Sequence, residues 1–79
     1  MQVKIIRKNH IEVHTKKYIY LQSYQSIVCK LEKATGVLTV NKTVRNYSRT
    51  TGKHYNLFIN KYDNLITDIF VTNQSITIG

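Results

Sequence analysis

Ile27, Cys29 and Leu31 alternate with Val28, Lys30 and Glu32; Lys33-Ala34-Thr35-Gly36 follows, and Val37–Val40 returns as a second β-prone run. Successive strand side chains point to opposite faces, so this period of two dictates a hairpin with one apolar face and makes a sheet the frame that the rest joins. Gly36 is the residue best able to take positive φ in the turn. The same alternation recurs at Val3 and Ile5, then at Ile11 and Val13, on either side of Arg7-Lys8-Asn9. It reads as a shorter hairpin with a basic turn, its polar face carrying Lys4, Glu12 and His14. Tyr18–Gln22 reads as a third strand, with Ile19 and Leu21 on one face and Tyr18 and Tyr20 on the other.

At Ser48 the period changes. Tyr55, Phe58, Ile59 and Tyr62 fall at i, i+3, i+4 and i+7, one helical face, while Arg49, Lys53, Asn56, Asn60 and Lys61 occupy much of the remaining circumference. Ser48 is a good N-cap. Gly52 weakens such a helix by roughly 1 kcal/mol against Ala, so its stability has to come from docking on the sheet. Thr43–Tyr47 reads as an edge strand or lead-in, and Leu65–Thr72 and Ser75–Ile78 as two last β segments around Asn73-Gln74. The expected fold is α+β, a small antiparallel sheet with one α-helix over about 48–62 packed on one face, in one domain spanning 1–79. Its core is expected from Ile5, Ile19, Leu21, Ile27, Cys29, Leu31, Leu38, Val40, Phe58, Ile59, Ile69 and Val71. An edge strand of so small a sheet can be covered by a second copy, which makes a homodimer an expected arrangement.

At 79 residues, burial only just offsets chain entropy, which argues against a large cleft with its own catalytic apparatus. Twelve Lys and Arg oppose four Asp and Glu, a net charge of +8. Residues 1–62 hold all twelve cations against Glu12 and Glu32, a net +10, and residues 63–79 hold only Asp63 and Asp68. Such a balance favours polyanions or acidic proteins as partners. An A/T-rich genome, which favours Lys, Asn and Ile codons, is the competing explanation. No segment approaches the roughly 18 apolar residues of a membrane span. The single Cys cannot close an internal disulfide, and a reducing cytoplasm is the expected setting.

Ser48-Arg49-Thr50-Thr51-Gly52-Lys53-His54 holds a Gly-Lys pair, but Tyr47 stands where a phosphate-binding loop needs an earlier Gly, and His54 where it needs Ser or Thr. What survives is a helix start at which Arg49, Thr50 and Lys53 can gather donors around an anion, set against the simpler reading that Ser48, Thr50 and Thr51 only cap the helix. His10 and His14 lie two pleats apart on a strand; with Glu12 they make at best an open metal site, and exposed strand residues are the expectation. Cys29 sits on an apolar strand face and reads as inert packing. The four scattered acids do not suggest a metal-dependent nuclease. No enzymatic activity, no metal and no cofactor are expected. Tyrosines interleave with cations, Tyr18 and Tyr20 after Lys16-Lys17 and Tyr47 before Arg49, a pairing used by single-strand binders and by protein-binding hot spots.

Ser23-Tyr24-Gln25-Ser26-Ile27-Val28 and Tyr47-Ser48-Arg49-Thr50-Thr51-Gly52-Lys53-His54, followed by Phe58-Ile59, resemble a pattern in short proteins of phages and mobile elements. The resemblance covers about residues 23–60. It implies a small intracellular protein from a setting where compact regulators and inhibitors of host defence, anti-CRISPR proteins among them, are common. The leading expectation is a non-enzymatic phage-type inhibitor that binds a host protein or nucleoprotein through a basic face. Lys16, Lys17, Tyr20, Arg49, Thr50, Lys53 and Lys61 are the expected contact residues. The alternatives are a small regulator that binds DNA or RNA directly and a structural protein acting through edge-strand pairing.

Overall fold

In the computed structural model, which describes residues 1–78, the strands lie side by side in the order in which the chain makes them. They are β1 (Gln2–Arg7), β2 (His10–His14), β3 (Tyr18–Ser23), β4 (Ser26–Glu32), β5 (Val37–Asn41) and β6 (Asp68–Thr72). The first four pairings are antiparallel; β6 pairs with β5 in parallel, reached through α1 (Lys42–Arg45) and α2 (Arg49–Lys61). A parallel neighbour needs a crossover of a dozen or more residues, and α2 supplies it. The α+β expectation holds, with a sheet that is mostly antiparallel.

Local chemistry explains most elements. Gly36 takes φ +78°, and its carbonyl accepts the Thr67 N–H at 2.8 Å, tying the β4–β5 turn to the approach to β6. Ser48 caps α2, its hydroxyl accepting the Thr51 N–H at 3.1 Å. Thr43–Tyr47 does not form an edge strand: the Asn41 side chain accepts the Val44 N–H at 3.1 Å and starts one turn of helix instead. Ser75–Ile78 forms no strand; only Asp68–Thr72 of the tail joins the sheet.

Thr51, His54, Tyr55 and Phe58 of α2 are buried on the face that holds Ile19, Leu21, Cys29, Leu31, Leu38 and Val40. Ile59 and Tyr62 pack at its margin. Strict alternation fails in β4. Leu21 lies opposite Cys29 but Gln22 opposite Ile27, so Val28 is an extra, bulged residue. Val28 and Cys29 are consequently both buried and Ile27 only half-buried. Ile5, Ile69 and Val71 are exposed, contrary to expectation, because they lie on the two edge strands while α2 lies against the middle of the sheet.

Candidate functional site

The topology sorts the charges. β1, β3 and β5 all finish at one end of the sheet, where the β1–β2 turn, the β3–β4 turn, α1 and the head of α2 meet. Arg7, Lys8, Lys42, Arg45, Arg49 and Lys53 therefore gather at that pole. Of the acids among the described residues only Glu12 approaches them, buried and lining a small pocket with Arg7 and Lys61; Glu32, Asp63 and Asp68 belong to the opposite end. Half of the twelve cations that looked continuous over residues 1–62, all three arginines among them, thus belong to one end.

A groove of about 770 Å³ opens at this pole. One wall is Ser23-Tyr24-Gln25-Ser26; Thr43, Val44, Tyr47, Ser48 and Thr51 form the other, and Asn9 closes one side. The two motif segments singled out in the sequence thus face each other. Both turns on the first wall are stiff: Asn9 and Tyr24 sit in the left-handed region, at φ 63° and 57°. The Tyr24 N–H donates to the Asn9 carbonyl at 3.0 Å, and the Gln22 amide to the Tyr24 carbonyl at 3.0 Å. Bulky side chains rarely take positive φ, so the fold accepts strain to present this ring. Across from it Tyr47 is 77% exposed.

Beneath the groove runs a ladder of hydroxyls. Ser48 Oγ donates to Thr51 Oγ1 at 3.2 Å, Thr51 Oγ1 lies 3.1 Å from Ser23 Oγ, and Ser23 Oγ lies 2.9 Å from His54 Nδ1. Ser48 and Thr51 are thus engaged in capping and packing, whereas Arg49, Thr50 and Lys53 remain exposed around the helix head.

His10, Glu12 and His14 overturn the expectation of an exposed polar face. Glu12 is 1% exposed and His10 is buried, because α2 lies over them. The Glu12 carboxylate accepts from Lys61 Nζ at 2.9 Å and from the Tyr62 hydroxyl at 2.5 Å, and lies 2.9 Å from His14 Nε2. Burial pushes its pKa up, but the hydrogen bonds from Tyr62, Lys61 and His14 outweigh burial, and the net shift is downward. The Tyr62 hydroxyl is in turn pushed up, by burial and by the carboxylate it serves. Burial likewise lowers the pKa of His10 and of His54.

The expected contact residues divide. Arg49, Thr50 and Lys53 stand together at the basic pole, but Lys16 and Lys17 lie in the β2–β3 turn at the opposite end. Lys61, at the far end of α2 from Arg49, is paired with Glu12 and lines a second, smaller pocket with Arg7. Tyr20 cannot contact a partner: it is 2% exposed, between Val13 and Lys30 on the neighbouring strands and against the Tyr18 ring at 5.7 Å. Arg7, Lys8, Lys42, Arg45 and Tyr24 went unselected although visible, since their convergence depends on strand order. Cys29 is buried, with its thiol pKa raised by burial, so it stays protonated and unreactive. Among the described residues no group of three His, Cys, Asp or Glu side chains is placed to hold a metal ion, and no helix is long and apolar enough to cross a membrane.

The chain belongs to a family of unknown function, DUF8033, whose model matches residues 1–74. No curated protein and no solved structure matches it.

Proposed function

We propose that this protein acts by binding: a non-enzymatic, anti-CRISPR-like inhibitor whose basic pole docks on the nucleic acid of a host nucleoprotein. The observation that supports this reading is the gathering of six cations, all three arginines among them, at the end of the sheet that also holds the groove. Cations packed together on one end attract a polyanion far better than the same number spread over a surface, because their potentials add within a Debye length of about 10 Å. The remaining basic residues share the rest of the molecule with Glu32, Asp63 and Asp68. The test is capture of a purified host nucleoprotein by the tagged chain, with and without nuclease. Nuclease-sensitive capture that the double variant Arg49→Glu/Lys53→Glu loses is the expected result. Capture that survives both treatments would sink the reading.

One observation favours a second reading, assembly through an edge strand. Ile69, Phe70 and Val71 of β6 are exposed in succession, so this short edge offers apolar side chains on both faces of the sheet. Sedimentation that reports only monomer over a wide concentration range would remove it.

A further inference from the structure

We infer that the groove at the basic pole is a binding site for single-stranded nucleic acid, whose bases stack on Tyr24 and Tyr47 while Arg49, Lys53 and Lys8 follow its phosphates. This inference rests on the polyanion reading above and specifies the state of the strand. Three features of the groove and its surroundings support it.

The first is shape and chemistry. The groove is lined by two exposed tyrosines, by Val44 and otherwise by polar side chains, of which Asn9, Gln25 and Ser26 offer hydrogen-bonding groups. An exposed ring forgoes the burial that normally pays for an aromatic side chain, and base stacking restores it. The second is preorganisation. The left-handed backbone at Asn9 and Tyr24, cross-tied by the Tyr24 N–H, sets the backbone from which one ring projects. The third is charge complementarity. Lys8, Lys42, Arg49 and Lys53 are exposed at the end of the sheet that holds the groove, each on a segment that contributes to its lining, whereas Arg45 lies over the Tyr55 ring at 4.8 Å.

A duplex fits these facts less well. Its bases are already stacked on one another, so it can use the cations but not the rings. The outer face of α2 does expose Arg49, Lys53, Asn56 and Asn60, polar side chains of the kind a duplex reader uses, so the duplex arm of the experiment is the discriminating control.

The experiment is fluorescence anisotropy of the full chain at low salt with oligothymidylate and oligouridylate probes of about ten nucleotides, against a mixed-sequence duplex. The variants are Tyr47→Ala and Tyr24→Asn, Asn being a residue that tolerates the left-handed backbone. Both side chains are exposed, and an unchanged thermal melt shows that the fold persists. The expected result is single-strand binding that each variant weakens by about fivefold or more, with Tyr47→Phe unaffected and duplex binding unchanged by all three. Absence of binding to either probe overturns the inference. So does binding that the tyrosine variants leave intact; if Arg49→Glu/Lys53→Glu then abolishes it, the basic pole stands without the groove. Insensitivity to charge reversal as well removes both readings.

Discussion

The imidazole rings of His10 and His54 lie face to face inside the protein, their centroids 4.2 Å apart and their planes inclined by 23°. One comes from the second strand and the other from the long helix, so the stack is a joint between sheet and helix. His54 Nδ1 is satisfied by Ser23, whereas His10 Nδ1 is buried without a protein partner.

Burial keeps both rings neutral, and Arg7 and Lys61 further disfavour a proton on His10, while Glu12 favours one. Both folded pKa values lie below the ordinary 6.5, so the unfolded chain binds more protons below that pH. Stability is therefore full above about pH 6.5 and falls as the pH drops through it, by at most about 2.7 kcal/mol per pH unit for two protons. His10→Phe removes one of the two sites and the orphaned nitrogen together. Urea unfolding between pH 7.5 and 5 is expected to show about half the slope and, at pH 7.5, undiminished stability. An unchanged slope would mean that the stack does not control the acid response.

Glu12 governs a second, lower window. Its folded pKa is depressed, so it contributes stability above its unfolded value near 4.5 that is lost as the pH falls through the folded one. Glu12→Ala strands the Tyr62 hydroxyl and opens a cavity, at a cost of about 2–3 kcal/mol; the Lys61 ammonium, 48% exposed, returns to water and moderates the loss. Lys61→Met leaves burial less opposed, so the carboxyl titrates higher. Carboxyl-carbon NMR titration of that variant is expected to show the rise directly.

Two alanine substitutions have opposite signs. A Cβ at Gly36 would run into the Leu65 carbonyl and the Thr67 side chain, at a backbone angle that L-residues avoid. Gly36→Ala should cost about 2 kcal/mol or more. A Cβ at Gly52 meets nothing within 4 Å, so Gly52→Ala should stabilise by up to about 1 kcal/mol. Paired thermal melts check both.

If the basic pole carries polyanion binding, the salt dependence has a ceiling. Six cations can displace at most six counterions, so the log-log slope for a single strand should be no steeper than about −4. A steeper slope would recruit Lys16, Lys17 or other cations from beyond the pole.

Period-two alternation located the first five strands, and a four-position repeat located the helix, because both are local patterns. The identity of the covered face was not local. His10, Glu12 and His14 look like a solvent row until Lys61 and Tyr62, some fifty residues on, supply the carboxylate's partners. Tyr20 misled for the mirror reason: it alternates with the apolar face, yet the other face is dense enough over β2 to β4 to bury it. Asn41 did carry a readable signal for the short helix, an Asx side chain ahead of Lys42-Thr43-Val44, which the β-prone composition of Thr43–Tyr47 obscured. The two groove segments were visible as motifs; that they oppose each other required the sheet.

The match between strand order and chain order sets an order of assembly. Each of the first four pairings closes a turn of a few residues, whereas joining the sixth strand to the fifth requires the chain from Lys42 to Thr67 to come home first. Short closures cost less entropy and occur sooner. The five-strand meander is thus the nucleus, and kinetic φ-values should be high at Leu21 and Leu31 and near zero at Phe58 and Val71. The groove, whose second wall belongs to the late-arriving crossover, comes into existence only in the last step of folding.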